Sequence, residues 1–211
     1  MRVVGGRLKG RNLASPSGRE IRPTADRLRE SVFNILVHAY DNPIEDARVL
    51  DLFAGTGALG IEAASRGARF TLFVDNGAEA RALLRNNVES LGLGGTTKVY
   101  RRDATDLGPA HPVEPFSLVF LDPPYGKGLA DKALASLRDI GFLDAARSGQ
   151  ITFAVFHILG PSIASLDEIA DVAELLWEAA FVLYEQPAQK ASMRAARKAR
   201  HDAARSPRAA S

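Results

Sequence analysis

Short runs rich in apolar residues alternate along this chain with stretches in which apolar side chains recur every three or four positions. The runs fall at residues 48–53, 70–75, 97–100 and 116–122. Their length suits strands buried on both faces. Leu59-Gly-Ile-Glu-Ala-Ala64 and residues 78–91 separate the first three runs with helical spacing. Strand and helix in alternation predict an α/β fold with a doubly wound, mostly parallel sheet. Upstream, residues 3–11 predict a short strand and turn, and Pro16-Ser17-Gly18 a second turn. Thr24 is the expected N-cap of a helix carrying Leu28, Val32, Ile35 and Leu36, which runs to about Tyr40. Beyond Asp144 the pattern fades. Residues 151–159 predict a buried strand, residues 166–184 are apolar with mixed periodicity, and the Ala/Arg-rich residues 190–211 have no apolar stripe to pack, so they are expected to be mobile.

The predicted strands end in acids. Asp51 lies just before the end of the first, Asp75 and Asp122 close the second and fourth, and Asp103 follows the third by three residues. Open parallel sheets bind ligands beyond the carboxyl ends of their strands, so these acids are expected to share a cleft. Taken singly, each is more often a solvated loop residue.

Composition narrows the class. At 211 residues with 46% hydrophobic and 25% charged positions, the chain suits one globular α/β domain with short appendages. No apolar run is long enough to cross a membrane, and the start lacks the apolar core of a signal peptide, so a cytoplasmic address without a membrane partner is expected. The absence of cysteine excludes disulfides, thiolate metal sites and a cysteine nucleophile, and no metal is expected. Charge divides the chain into three parts. Residues 1–40 hold 8 Lys/Arg against 3 Asp/Glu, residues 41–186 hold 12 against 21, and residues 187–211 hold 7 against 1. A basic extension, an acidic α/β domain and a basic tail follow, and basic arms on an acidic body suit a polyanion. Solubility alone would also account for the arms.

Asp51-Leu-Phe-Ala-Gly55-Thr-Gly57-Ala-Leu-Gly60 sets a G-x-G-x-x-G directly between a predicted strand and helix. Glycines there allow a tight turn and close backbone approach to a ligand. Alone, the motif would suggest a dinucleotide. Asp51, four residues before the first glycine, favours a ligand with an amino group over a pyrophosphate and points to S-adenosylmethionine. Asp122-Pro-Pro-Tyr125 adds an acceptor-only cradle. Its prolines remove N–H donors and leave carbonyls, Asp122 adds a carboxylate, and Tyr125 adds a stacking face. Such a cradle suits an exocyclic amine, whose lone pair is delocalised until its hydrogens are held. Catalysis then rests on positioning and electrostatics rather than on a strong base. A proline pair can also simply end a strand. Asp75, 24 residues after Asp51, sits near the spacing at which an acid meets ribose hydroxyls, and Asp103-Ala104 is placed to meet an adenine amino group.

With Arg2-Val-Val-Gly-Gly-Arg-Leu-Lys-Gly-Arg11 and Arg22-Pro-Thr-Ala-Asp-Arg-Leu-Arg-Glu-Ser31 added to these motifs, the chain resembles the bacterial 16S ribosomal RNA guanine-N2 methyltransferases of the RsmD type over roughly residues 1–143. The resemblance implies a Rossmann-like methyltransferase fold, S-adenosylmethionine as methyl donor, and a guanine of 16S rRNA as acceptor, presented in a small-subunit particle; a monomer is expected. It implies that Asp51, Phe53, Gly55, Gly57, Asp75, Asp103 and Ala104 line the cofactor. Asp122, Pro123, Pro124 and Tyr125 would hold the guanine, and Arg7, Lys9, Arg22, Thr24, Arg27 and Arg29 would meet RNA. Surface salt bridges are the competing account of those arginines. From about Ala145 the chain departs from the family's pattern. Methylation of an adenine amino group or a glutamine amide would use the same cradle, and a non-catalytic RNA-binding relative is the alternative from another class.

Overall fold

Each predicted apolar run is a strand, and the fifth lies inside the run predicted near residue 151: β1 (Arg48–Leu52), β2 (Phe70–Val74), β3 (Thr97–Tyr100), β4 (Leu118–Leu121) and β5 (Thr152–Val155). All pair in parallel, in the order β3-β2-β1-β4-β5. The computed structural model describes residues 1–16, 23–39, 42–109, 114–124, 128–138 and 152–155. The stretch predicted at 166–184 and the basic tail lie outside them. The chain starts at β1, winds outward through β2 and β3, then returns to the other side of β1 with β4. The strand order therefore reverses between β1 and β4, where ligands of open α/β sheets bind.

Helices α1 (Pro23–Ala39), α2 (Ala58–Ser65), α3 (Ala78–Ser90) and α4 (Leu129–Arg138) complete the described elements. Alternation along the strands sends Leu50, Leu52, Leu72, Val74, Val119 and Leu121 to one face, where Ala133 and Leu137 of α4 cover them. Val49, Leu118 and Phe120 face the other way, against Phe33 and Leu36 of α1 and Ala63 of α2. Phe73 on that same side packs with Ile61 and Ala64 of α2 and with Leu84 and Val88 of α3.

The N-terminal residues form no strand of the sheet. They make a narrow ribbon, with an antiparallel bridge between Arg2 and Asn12 around a single 3₁₀ turn at Gly6–Leu8. The ribbon lies on α2 instead of a sheet edge, and α2 side chains satisfy its backbone. Val4 N–H donates to Glu62 Oε2 at 2.8 Å and Leu8 N–H to Ser65 Oγ at 2.9 Å, while the Ser65 hydroxyl donates to the Gly5 carbonyl at 2.6 Å. A Cβ on Gly6 would strike the Ser65 backbone, so the Gly5-Gly6 pair serves close approach as well as turning. Helix α1 opens on Pro23, and Thr24 belongs to its first turn instead of preceding it as a cap. Proline suits that opening because its fixed φ is already helical and its missing N–H would have no partner there.

Candidate active site

The glycine motif leaves β1 through residues that only a special backbone can accommodate. Phe53, Gly55 and Gly57 have φ of 57°, 56° and 81°. Two glycines take the left-handed region at little cost, whereas Phe53 is a strained residue of the kind that collects at functional sites. Gly57 then N-caps α2. A Cβ there would strike Leu84 of α3, and one on Gly60 would strike the Phe73 ring and come within 2.9 Å of Asp51 Oδ2. Gly60 thus lets α2 settle on the sheet, close enough for its N–H to donate to Asp51 Oδ2 at 2.8 Å.

Asp51 sits on the α2 side of β1, buried. Its pKa is raised to about 8, mainly by removal from water and further by the nearby charges of Asp122 and Asp75, against the lowering effect of the Gly60 hydrogen bond. Asp122, one residue beyond β4, is raised to about 7 by burial. Asp75, one residue beyond β2, holds the glycine loop with one carboxylate oxygen and the start of α3 with the other: Gly55 N–H donates to Oδ2 at 2.8 Å and Gly77 N–H to Oδ1 at 2.7 Å. Asp122 and Asp75 thus act on the buried Asp51 as like charges, and a cationic ligand would relieve that repulsion. Buried carboxylates with raised pKa values beside a strand switch point are a recognised mark of functional sites.

Asp103 lies on the adjoining loop and is exposed. Hydrogen bonds from the Thr105 N–H and hydroxyl, at 2.8 and 2.7 Å, hold its carboxyl below its ordinary pKa, and Asn76 after β2 donates to it at 3.4 Å. The Ala104 methyl is buried in the core under α4, so only its backbone can line a ligand site. Pro123 is buried and Pro124 exposed, while Tyr125 and Arg22 lie outside the described residues.

The predicted RNA-facing residues divide. Arg7, Lys9 and Arg27 are exposed. Arg29 is not: it is 5% exposed, its guanidinium pairing with Asp26 at 2.9 Å and Glu62 at 3.7 Å and donating to the Arg2 carbonyl. Arg29 therefore pins α1 and the ribbon to α2, and its expected contact with RNA is corrected to a structural one. Glu62 is fully buried at the centre of this network and also accepts from Arg66 Nε at 2.8 Å. The sequence reading passed over Glu62, although an acid within the apolar Leu59-Gly-Ile-Glu-Ala-Ala64 is a signal that something must pair with it. Arg81 and Asn87, buried on α3, were also passed over. Arg81 donates to the Asp75 carbonyl at 3.2 Å and Asn87 to the Thr56 carbonyl at 2.9 Å, so α3 supports the ends of β1 and β2 from below.

The family model described as Conserved hypothetical protein 95 matches residues 1–156. The chain is 37% identical over 143 residues to the Ribosomal RNA small subunit methyltransferase D of Escherichia coli strain K12, covering 68% of this chain and 69% of that protein. YlbH of Bacillus subtilis strain 168, provisionally named an rRNA methyltransferase, is 43% identical over 141 residues, or 66% of this chain and 74% of YlbH. The chain belongs to the RsmD-type methyltransferase family. A solved structure agrees: yhhF from Escherichia coli, provisionally titled a methyltransferase, superposes with a TM-score of 0.57 at 36% identity over 68% of this chain and 75% of that one. The RsmD-type family match reaches residue 156, so it takes in the ribbon, the glycine loop, the four acids and β5 alike.

Proposed function

We propose that this protein transfers a methyl group from S-adenosylmethionine to the exocyclic N2 of a guanine in the 16S rRNA of the small ribosomal subunit. The observation that carries the reading is the meeting of Asp51, Asp75 and Asp122 around the glycine loop at the β1–β4 switch point, in a family whose named relatives methylate ribosomal RNA.

The donor set suits the cofactor. Bound S-adenosylmethionine would supply an electrophilic methyl group on a cationic sulfonium, together with an ammonium. Asp51 and Asp122 are held partly protonated by burial, and positive charge beside them favours their carboxylates. Asp75 can accept from ribose hydroxyls while keeping the loop, because each of its oxygens has a second lone pair. Gly55, where an added Cβ would meet only the Phe53 carbonyl oxygen, at 3.9 Å, and Phe53 would form the floor of the loop. The backbone at Asp103 and Ala104 would meet the adenine.

On the acceptor side, Asp122 and the carbonyls around Pro123 and Pro124 can only accept hydrogen bonds. They would hold both hydrogens of the guanine amine, aim its lone pair at the methyl group, and leave Asp122 to take the proton released after transfer. Tyr125 would stack on the base. The target base must leave its stack to reach strand ends, and Arg7, Lys9 and Arg27, with Arg22 and Thr24 as the sequence suggests, would hold the flanking phosphates. A monomer acting on a small-subunit particle in the cytoplasm completes the reading.

Incubation with labelled S-adenosylmethionine and small subunits lacking the modification, followed by digestion to nucleosides, tests it. Label in N2-methylguanosine supports the proposal. Label in N6-methyladenosine would move the acceptor to adenine, and no transfer to RNA would overturn the proposal.

A further inference from the structure

Asn87 of α3 is bonded to two functional elements at once. Its side chain is 1% exposed, and its amide oxygen accepts from Ala14 N–H at 2.7 Å. The amide nitrogen donates to the Ala14 carbonyl at 3.1 Å and to the Thr56 carbonyl at 2.9 Å. Ala14 follows directly on the ribbon that carries Arg7 and Lys9. Thr56 lies between the two left-handed glycines of the loop. The ribbon's other anchor, through Glu62 and Ser65, is on α2, the helix that begins where the loop ends.

The Thr56–Gly57 peptide is held from both sides: the Gly57 N–H donates to the Ala54 carbonyl within the loop at 2.7 Å, and the Thr56 carbonyl accepts from Asn87 at 2.9 Å. The hydrogen bond from Asn87 thus ties the peptide that leads into α2 to α3. Both amide hydrogens are used, so a displaced Ala14 would leave a buried donor unpaired, and Asn87 could regain a partner only by turning away from Thr56. Whatever orders Ala14 therefore orders the glycine loop, and the reverse holds equally.

We infer that Asn87 is a positioning residue that couples the ribbon to the glycine loop, so that RNA on the ribbon and cofactor on the loop each tighten the other's binding. The inference rests on the proposed function, and its test separates the two. Calorimetry of S-adenosylhomocysteine is done with and without an unmodified 16S rRNA transcript. In the wild type the transcript tightens S-adenosylhomocysteine binding about fivefold or more, the lower end of typical allosteric coupling. Asn87→Ala brings that factor close to one. Ser65→Ala also deletes buried ribbon hydrogen bonds but leaves the Ala14–Asn87–Thr56 chain intact, and it retains the coupling. Additive binding in the wild type, coupling that survives Asn87→Ala, or equal loss in Ser65→Ala would each overturn the inference. Failure of the wild type to bind S-adenosylhomocysteine would overturn the proposed function, and the inference with it. Amide exchange in the wild type needs no variant: S-adenosylhomocysteine slows exchange at Ala14, the transcript slows it at Gly57, and absence of either effect would overturn the inference.

Discussion

Replacing Asp51 with asparagine is expected to stabilise the ligand-free protein at alkaline pH while impairing its function. In the unfolded chain this carboxyl ionises near 3.8, and in the fold near 8. Between those values the folded state keeps a proton that the unfolded chain has released. The stability contributed by this group is therefore fullest below about pH 4, falls as pH rises, and levels off above about pH 8. Each tenfold change in proton affinity is worth about 1.4 kcal/mol. The displacement from 3.8 to about 8 thus sets a ceiling of roughly 6 kcal/mol, and relaxation around the carboxylate reduces this to on the order of 3 kcal/mol. Asparagine keeps an oxygen for the Gly60 N–H and does not titrate. Thermal unfolding of both proteins at pH 5 and pH 8.5 should show the variant's advantage growing by about 2 kcal/mol, the part of that amount falling in this window, or about 4–8 °C for a domain of this size. A pH-independent difference, or a variant less stable than wild type at pH 8.5, would refute the reasoning.

Other expectations follow from the same contacts. Affinity for S-adenosylmethionine should rise about tenfold from pH 6 to pH 8 as Asp122 and then Asp51 ionise, with proton release on binding near pH 7 and a smaller change for uncharged-sulfur S-adenosylhomocysteine; calorimetry in buffers of different ionisation enthalpy reads both quantities. Arg29→Ala should lower stability by about 3 kcal/mol in denaturant titrations because it strips charge from the buried Glu62 network, whereas Arg7→Ala and Lys9→Ala should leave stability unchanged and each reduce the salt slope of RNA binding by just under one. Gly60→Ala should cost about 1–3 kcal/mol by overpacking against Phe73 and should weaken cofactor binding by displacing Asp51, as unfolding and calorimetry would show.

The sheet was legible because buried strands are rich in apolar residues, a signal strong in β1, β2 and β4 and weaker in β3, which lies at the sheet edge and carries Thr97 and the exposed Lys98. The acids were legible from position alone, since each falls where a parallel strand hands over to its loop. Helix α4 was also written in the sequence, in the spacing of Ala130, Ala133, Leu134 and Leu137, but the proline run before it drew attention to the strand end instead. The burial of Arg29 was not legible. An arginine two residues from the exposed Arg27 looks like its neighbour until Glu62, distant in sequence, is seen beneath it. The raised pKa values of Asp51 and Asp122 were hidden for the same reason, because they arise from strands brought side by side. The left-handed Phe53 gives no sequence signal, since nothing about phenylalanine suggests positive φ.

The central claim is that Asp122 and the carbonyls beside it present an RNA amine to a methyl donor. Transfer of labelled methyl from S-adenosylmethionine to small subunits lacking the modification, by wild type and by Asp122→Ala, tests it most directly when both proteins are first shown to bind S-adenosylhomocysteine. The account predicts N2-methylguanosine with the wild type and a rate at least about a hundredfold lower with the variant. Equal transfer by both proteins would contradict it.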